Sequence, residues 1–178
     1  MGLILLRHTT PDVQPGICYG QLDLDVAATF DAEADKAFAA LPRIDRIVTS
    51  PLKRCHKLAQ VIADRNQRPF EQDARLMEMD FGTWEGVAWD DIPRAEIDEW
   101  GENFLHARPH GGENVMQLRT RAMQAISEWN DPATQTLIVT HAGIIRIALA
   151  EGDDPDDFNA KVDFGQVTAL NYEWIDLG

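Results

Sequence analysis

Arg7, His8, Arg54 and His141 stand far apart along the chain, yet each follows closely on a short apolar run. LILL at 3–6 leads straight into Arg7-His8, RIVTS at 46–50 precedes Arg54, and TLIVT at 136–140 ends on His141. Guanidinium groups are planar forks that grip a tetrahedral oxyanion bidentately. Imidazole can act as a nucleophile or carry a proton near neutral pH. Two of each around one point would make an anion site with reactive groups beside it. Taken singly, each residue has a plainer reading. Arg7 would cap a sheet edge, Arg54 would be a solvated helix residue, and His8 and His141 would be hydrogen-bonded core histidines. Their common position at three strand ends favours the joint reading. The background sharpens it, because the chain carries 30 acidic against 16 basic residues, a net charge of −14. That charge argues against nucleic acid or an anionic membrane surface as a partner.

For the four side chains to meet, the runs must be strands of one sheet. LILL, RIVTS and TLIVT are short, apolar and uninterrupted, as strands buried on both faces are. A weaker strand is expected between Pro69 and Gln72, and VTALNYEW at 167–174 alternates like a late edge strand. Amphipathic helices are expected between them: Thr29 to Leu41, Ser50 to Asn66, Asn114 to Trp129 and Gly143 to Ala150. Ser50 is expected at the N-cap of the second, with Pro51 in its first turn. The pattern predicts an α/β fold, a three-layer sandwich with a mainly parallel central sheet and helices on both faces. In such sheets ligands bind beyond the carboxyl ends of the strands, where Arg7, His8, Arg54 and His141 would lie.

The 178 residues suit a single domain, 1–178, with the acidic stretch 151–158 as a surface loop entering a short helix. Residues 79–113 read either as a loop-rich cover over the site or as a packed helical excursion with a solvated acidic face. They hold Trp84, Trp89, Trp100 and Phe104, with His106 expected at the surface and His110 a candidate for the pocket mouth. Cys18 and Cys55 form no Cys-x-x-Cys pair and read as two reduced thiols, the alternative being one disulfide. No secretory leader is visible and no apolar run approaches the ~20 residues of a membrane span. The expectation is a soluble, cytoplasmic protein. A His-Glu-x-x-His pair, a P-loop and a Gly-x-Gly-x-x-Gly turn are all absent, which argues against a metallohydrolase and a nucleotide-binding fold.

Five segments, in order, resemble motifs of the histidine phosphatase superfamily. LLRHTTP resembles its Arg-His-Gly motif, SPLKRCHKLAQVIA its Ser-Pro-x-x-Arg motif, RLMEMDFGTWEG the segment carrying the acid, HGGENVMQLRTRA the Gly-Gly-Glu-Ser helix start and IVTHAGIIR the second histidine motif. The sequence departs from that pattern at Thr9, where most members have Gly, at Thr10, where many have Glu, and at Leu58, where Thr is frequent. The Asn that often follows the first motif is absent from PDVQPG. The resemblance implies a phosphoglycerate mutase-like fold and a metal-independent phosphatase that needs no cofactor. It implies His8 as nucleophile, His141 as second imidazole, Glu78 as proton donor, and Arg7 and Arg54 as phosphate ligands. Glu85 would instead shape a loop or bind backbone amides. The expected substrate is a small phosphorylated metabolite, with α-ribazole 5′-phosphate singled out by GICYGQLDL and MDFGTWEG. The alternatives are phosphoglycerate mutase-type transfer, for which the chain looks lean, and a protein-phosphohistidine phosphatase. The sequence carries no signal of oligomeric state.

Overall fold

A computed structural model describes residues 2–170. Its strands are β1 (Leu3–Arg7), β2 (Arg46–Thr49), β3 (Glu71–Gln72), β4 (Thr136–Thr140) and β5 (Val167–Leu170). They form one sheet in the order β3-β2-β4-β1-β5. The first four run parallel and β5 lies antiparallel along β1. The expected edge strand is therefore present over 167–170, and the rest of that run lies outside the described residues. Arg7 sits opposite Thr140, and Thr49 opposite Val139. This register brings the carboxyl ends of β1, β2 and β4 side by side.

The helices are α1 (Phe30–Ala40), α2 (Lys53–Asn66), α3 (Arg94–Glu102), α4 (Val115–Trp129) and α5 (Ala142–Leu149). Strand side chains alternate between faces, and the two cores follow that alternation. Leu3, Leu5, Val48 and Ile138 pack with Leu118, Ala122, Ile126 and Ile144 from α4 and α5. Ile4, Leu6, Ile47 and Val139 pack with Ala34, Ala37, Leu58 and Ile62 from α1 and α2. Leu58 is fully buried there, which gives the apolar substitution at that motif position a packing role. No helix among the described residues is long and apolar enough to cross a membrane.

One helix start differs from expectation. α2 begins at Lys53, three residues past Ser50, and its N-cap Leu52 makes no side-chain cap. Ser50 Oγ still accepts from the Leu52 amide at 3.4 Å, and it lies 2.8 Å from His141 Nε2. α4 starts on a full capping box, Asn114 with Gln117. Segment 79–113 contains two short helical turns, Gly82–Trp84 and Trp89–Asp91, followed by α3. Trp84 and Ile92 bury with Cys18 in a small core of their own, backed by Phe81, Ile97 and Trp100.

Candidate active site

His8 leaves β1 with its backbone amide donating to Thr140 O at 3.0 Å. Its ring is buried, and Nδ1 lies 2.7 Å from Thr9 O. A carbonyl can only accept, so Nδ1 carries the proton and Nε2 keeps its lone pair. Burial first, and the Arg54 charge second, hold the imidazole well below its usual pKa, against the Thr9 bond, which works the other way. The ring is neutral at pH 7. His141, at the N-cap of α5, faces His8 edge-on with ring centroids 5.1 Å apart. Ser50 Oγ lies 2.8 Å, and Cys55 Sγ 3.4 Å, from its Nε2. Burial and then Arg54 depress its pKa too.

Arg54 is fully buried in the first turn of α2. Its Nη1 and Nη2 donate to Leu22 O and Gly20 O, each at 2.7 Å. Arg7 donates from Nη1 to Val162 O at 2.6 Å and stacks on Phe164, 3.8 Å from the ring centroid. Each guanidinium keeps a buried Nε with no acceptor among the described residues. A charged donor left so is costly, and an oxyanion ligand would relieve both. Tyr19 completes this corner, its ring centroid 5.3 Å from the Arg54 guanidinium.

Glu78 follows the helical turn Ala74–Leu76. Its carboxylate accepts from the amides of Met79 at 2.9 Å and Gly143 at 3.1 Å. A Cβ built on Gly143 would collide with that carboxylate, so the close approach needs glycine. Arg121 of α4 fixes the backbone behind it. Its guanidinium donates to the carbonyls of Arg75 (2.7 Å), Met77 (2.6 Å) and Glu78 (2.9 Å) and pairs bidentately with Glu113 at 2.7 and 2.8 Å. The other two carboxylates of the segment are turned to the backbone. Asp80 accepts from Gly82 N, and Glu85 from Gln21 N and Phe81 N, the backbone-binding use expected for Glu85.

A cavity of about 380 Å³ is lined by Arg7, Tyr19, Glu78 and Gly143 of this cluster together with Phe81, Trp89 and Trp100. His110 does not line it. It is buried against Trp84, ring centroids 4.8 Å apart, with Nδ1 accepting from Gly112 N, which disfavours the pocket-mouth candidate. His106 is exposed, as expected. Thr9 is buried at an ordinary negative φ, so its backbone does not call for glycine, and Thr10 binds Glu33 of α1 through its amide and hydroxyl. Both cysteines are free, and burial pushes the Cys18 thiol up to about 12 and Cys55 higher still. Neither is a nucleophile near neutral pH.

The geometry thus gathers His8, His141, Arg7, Arg54 and Glu78. It adds Tyr19, Ser50, Arg121, Glu113 and Gly143, to which sequence reasoning gave no place in the site. GICYGQLDL and HGGENVMQLRTRA signalled only that their segments mattered.

Known proteins resemble the chain over most of its length. The chain is 28% identical over 167 residues to glucosyl-3-phosphoglycerate phosphatase of Mycolicibacterium vanbaalenii, covering 83% of this chain and 72% of that protein. It is 29% identical over 152 residues to phosphoserine phosphatase 1 of Hydrogenobacter thermophilus, covering 77% and 68%. The native structure of a mycobacterial glucosyl-3-phosphoglycerate phosphatase matches with a TM-score of 0.81 at 25% identity, over 96% of this chain and 89% of that one. The architecture is the phosphoglycerate mutase-like sandwich that the resemblance implied. A family-wide match over residues 3–174 agrees with the motifs and the fold, and the chain belongs to the histidine phosphatase superfamily (branch 1).

Proposed function

We propose that this phosphatase hydrolyses small phosphomonoesters in two steps through a phosphohistidine on His8, without a metal ion. The observation that carries the reading is the state of His8: a neutral ring whose Nδ1–H is tied to Thr9 O, leaving Nε2 nucleophilic beside two guanidinium groups with unused N–H donors. Arg7 and Arg54 grip the non-bridging oxygens, and His141, held by Ser50, donates a hydrogen bond to the transferring group. Nε2 attacks phosphorus while the bond from phosphorus to the alcohol oxygen breaks. Glu78 gives its proton to that oxygen, and the alcohol leaves. The Glu78 carboxylate then takes a proton from water, whose oxygen attacks phosphorus. The phosphorus–Nε2 bond breaks, inorganic phosphate departs, and the free ring is restored. The arginines supply the charge a cation would otherwise bring, and no three His, Cys, Asp or Glu side chains among the described residues cluster as metal ligands.

Residues 79–113 act in this reading as the cover of one domain, screening the reaction from bulk water. The cavity is near the lower end of the range of about 300–1,000 Å³ for small-molecule sites. That size favours a metabolite over a phosphorylated protein. Among specific compounds, α-ribazole 5′-phosphate is the one the sequence resemblance singles out. The test is His8→Ala: turnover and acid-labile labelling by radioactive substrate should both vanish while circular dichroism is unchanged. Normal hydrolysis by that variant would falsify the nucleophile assignment.

A further inference from the structure

The cavity is divided chemically. Arg7 and Glu78, the groups of the phosphate chemistry, line it together with an apolar wall that includes Phe81, Trp89, Trp100, Phe104, Phe158 and Val115. Phe81 meets Trp89 at 5.5 Å and Trp100 at 6.2 Å edge to face, and Trp100 lies tilted against Phe104 at 5.4 Å. Other polar side chains on the lining are few. Tyr19 stands over Arg54, and Arg146 already donates from Nε to Ala160 O at 3.1 Å. Asn159 bears the remaining amide, and no carboxylate other than Glu78 lines the cavity among the described residues.

We infer that this wall receives the alcohol part of the substrate and selects phosphomonoesters whose alcohol carries a flat aromatic or heteroaromatic ring on a short stem. The inference rests on the phosphatase reading above and names the substrate class of that site. A ring entering the cavity meets aromatic edges and faces, which attract it beyond the area it buries. An ammonium meets no carboxylate other than Glu78 among the described residues, and each polar group buried without a partner lowers affinity roughly tenfold. Burial of about 100 Å² of ring surface raises kcat/KM roughly fiftyfold. The preference accordingly runs away from polar alcohols such as serine and glycerate.

The test compares 2-phenylethyl phosphate, O-phosphoserine and 3-phosphoglycerate, all monoesters of alkyl alcohols that make similar demands on the proton donor. Wild-type enzyme should favour 2-phenylethyl phosphate by roughly tenfold to a hundredfold in kcat/KM. In Trp89→Ala the ratio of 2-phenylethyl phosphate to O-phosphoserine should fall at least about fivefold. Trp89 is 37% exposed at the rim. A ratio taken on one preparation also cancels any loss of folded protein. If phosphoserine or phosphoglycerate is used as well as the phenyl ester while His8 is still labelled, the specificity inference falls and the phosphohistidine reading stands. If none of the three labels His8 or is hydrolysed, the phosphatase reading fails and takes this inference with it.

Discussion

Gly143→Ala should separate stability from catalysis. Gly143 is the second residue of α5, its amide donates to Glu78 Oε2 at 3.1 Å, and an added methyl would run into the carboxylate. The flexible partner is the Glu78 side chain, so it is the carboxylate that must move. Alanine is favoured over glycine inside a helix by about 1 kcal/mol. Loss of a hydrogen bond to a charged group costs about 1.5–3 kcal/mol. The net change is a destabilisation of at most about 2 kcal/mol, or several degrees in Tm for a domain of this size. Catalysis should suffer far more, since general-acid help is worth about 10²–10⁴-fold. On an alkyl phosphate, kcat/KM should fall at least about 100-fold. On p-nitrophenyl phosphate, whose leaving oxygen hardly needs a proton, the loss should stay within about tenfold. Thermal melts and steady-state kinetics on the two substrates decide it. An unchanged alkyl phosphatase rate, or equal losses on both substrates, would refute the reasoning that Glu78 is the proton donor and that Gly143 makes room for it.

Arg121→Lys keeps the charge but loses the fork that ties Glu113 to three carbonyls of the 75–78 segment. It should lower kcat on alkyl phosphates about tenfold with little change in KM and destabilise by about 1–3 kcal/mol; an unaltered kcat would show that the segment holds Glu78 without it. Acid should destabilise the protein earlier than its carboxylates require. His8, His141 and His110 have pKa values lowered by burial, so below the unfolded value near 6.5 the unfolded chain binds protons that the folded one refuses. Their contribution is whole above that pH and is lost as pH falls towards the depressed folded values, at up to about 1.4 kcal/mol per pH unit for each ring. Urea unfolding at pH 7.5, 6.0 and 5.0 measures this, and a midpoint that does not move would contradict the buried neutral rings.

Much of the fold was legible because its three central strands are apolar on both faces and its helices on one. LILL and TLIVT need no neighbours to be recognised, and Leu58, Ala122 and Ile126 fall where helical spacing puts them. The site residues were legible where they end a strand, as Arg7, His8 and His141 do. The contact of Ser50 with His141 was illegible because it exists only through the approach of β4 to β2. Tyr19 and Gly143 were illegible as parts of the site for a related reason. Their roles depend on Arg54 and Glu78, which are distant in sequence, and no local periodicity encodes such a meeting. The place of His110 was left open because nothing local to it marks Phe81 and Trp84, which enclose it.

The order of the strands bears on how the protein comes into being during translation. β1 and β2 are not neighbours; β4, more than 80 residues beyond β2, must slide between them. Until it emerges from the ribosome, β2 has only β3 to pair with and β1 has no partner, so Leu3 waits for Thr136. Such long-range pairing slows folding and leaves apolar edges open to aggregation. A nascent polypeptide therefore cannot assemble its two imidazoles early: chemistry and the centre of the sheet arrive together.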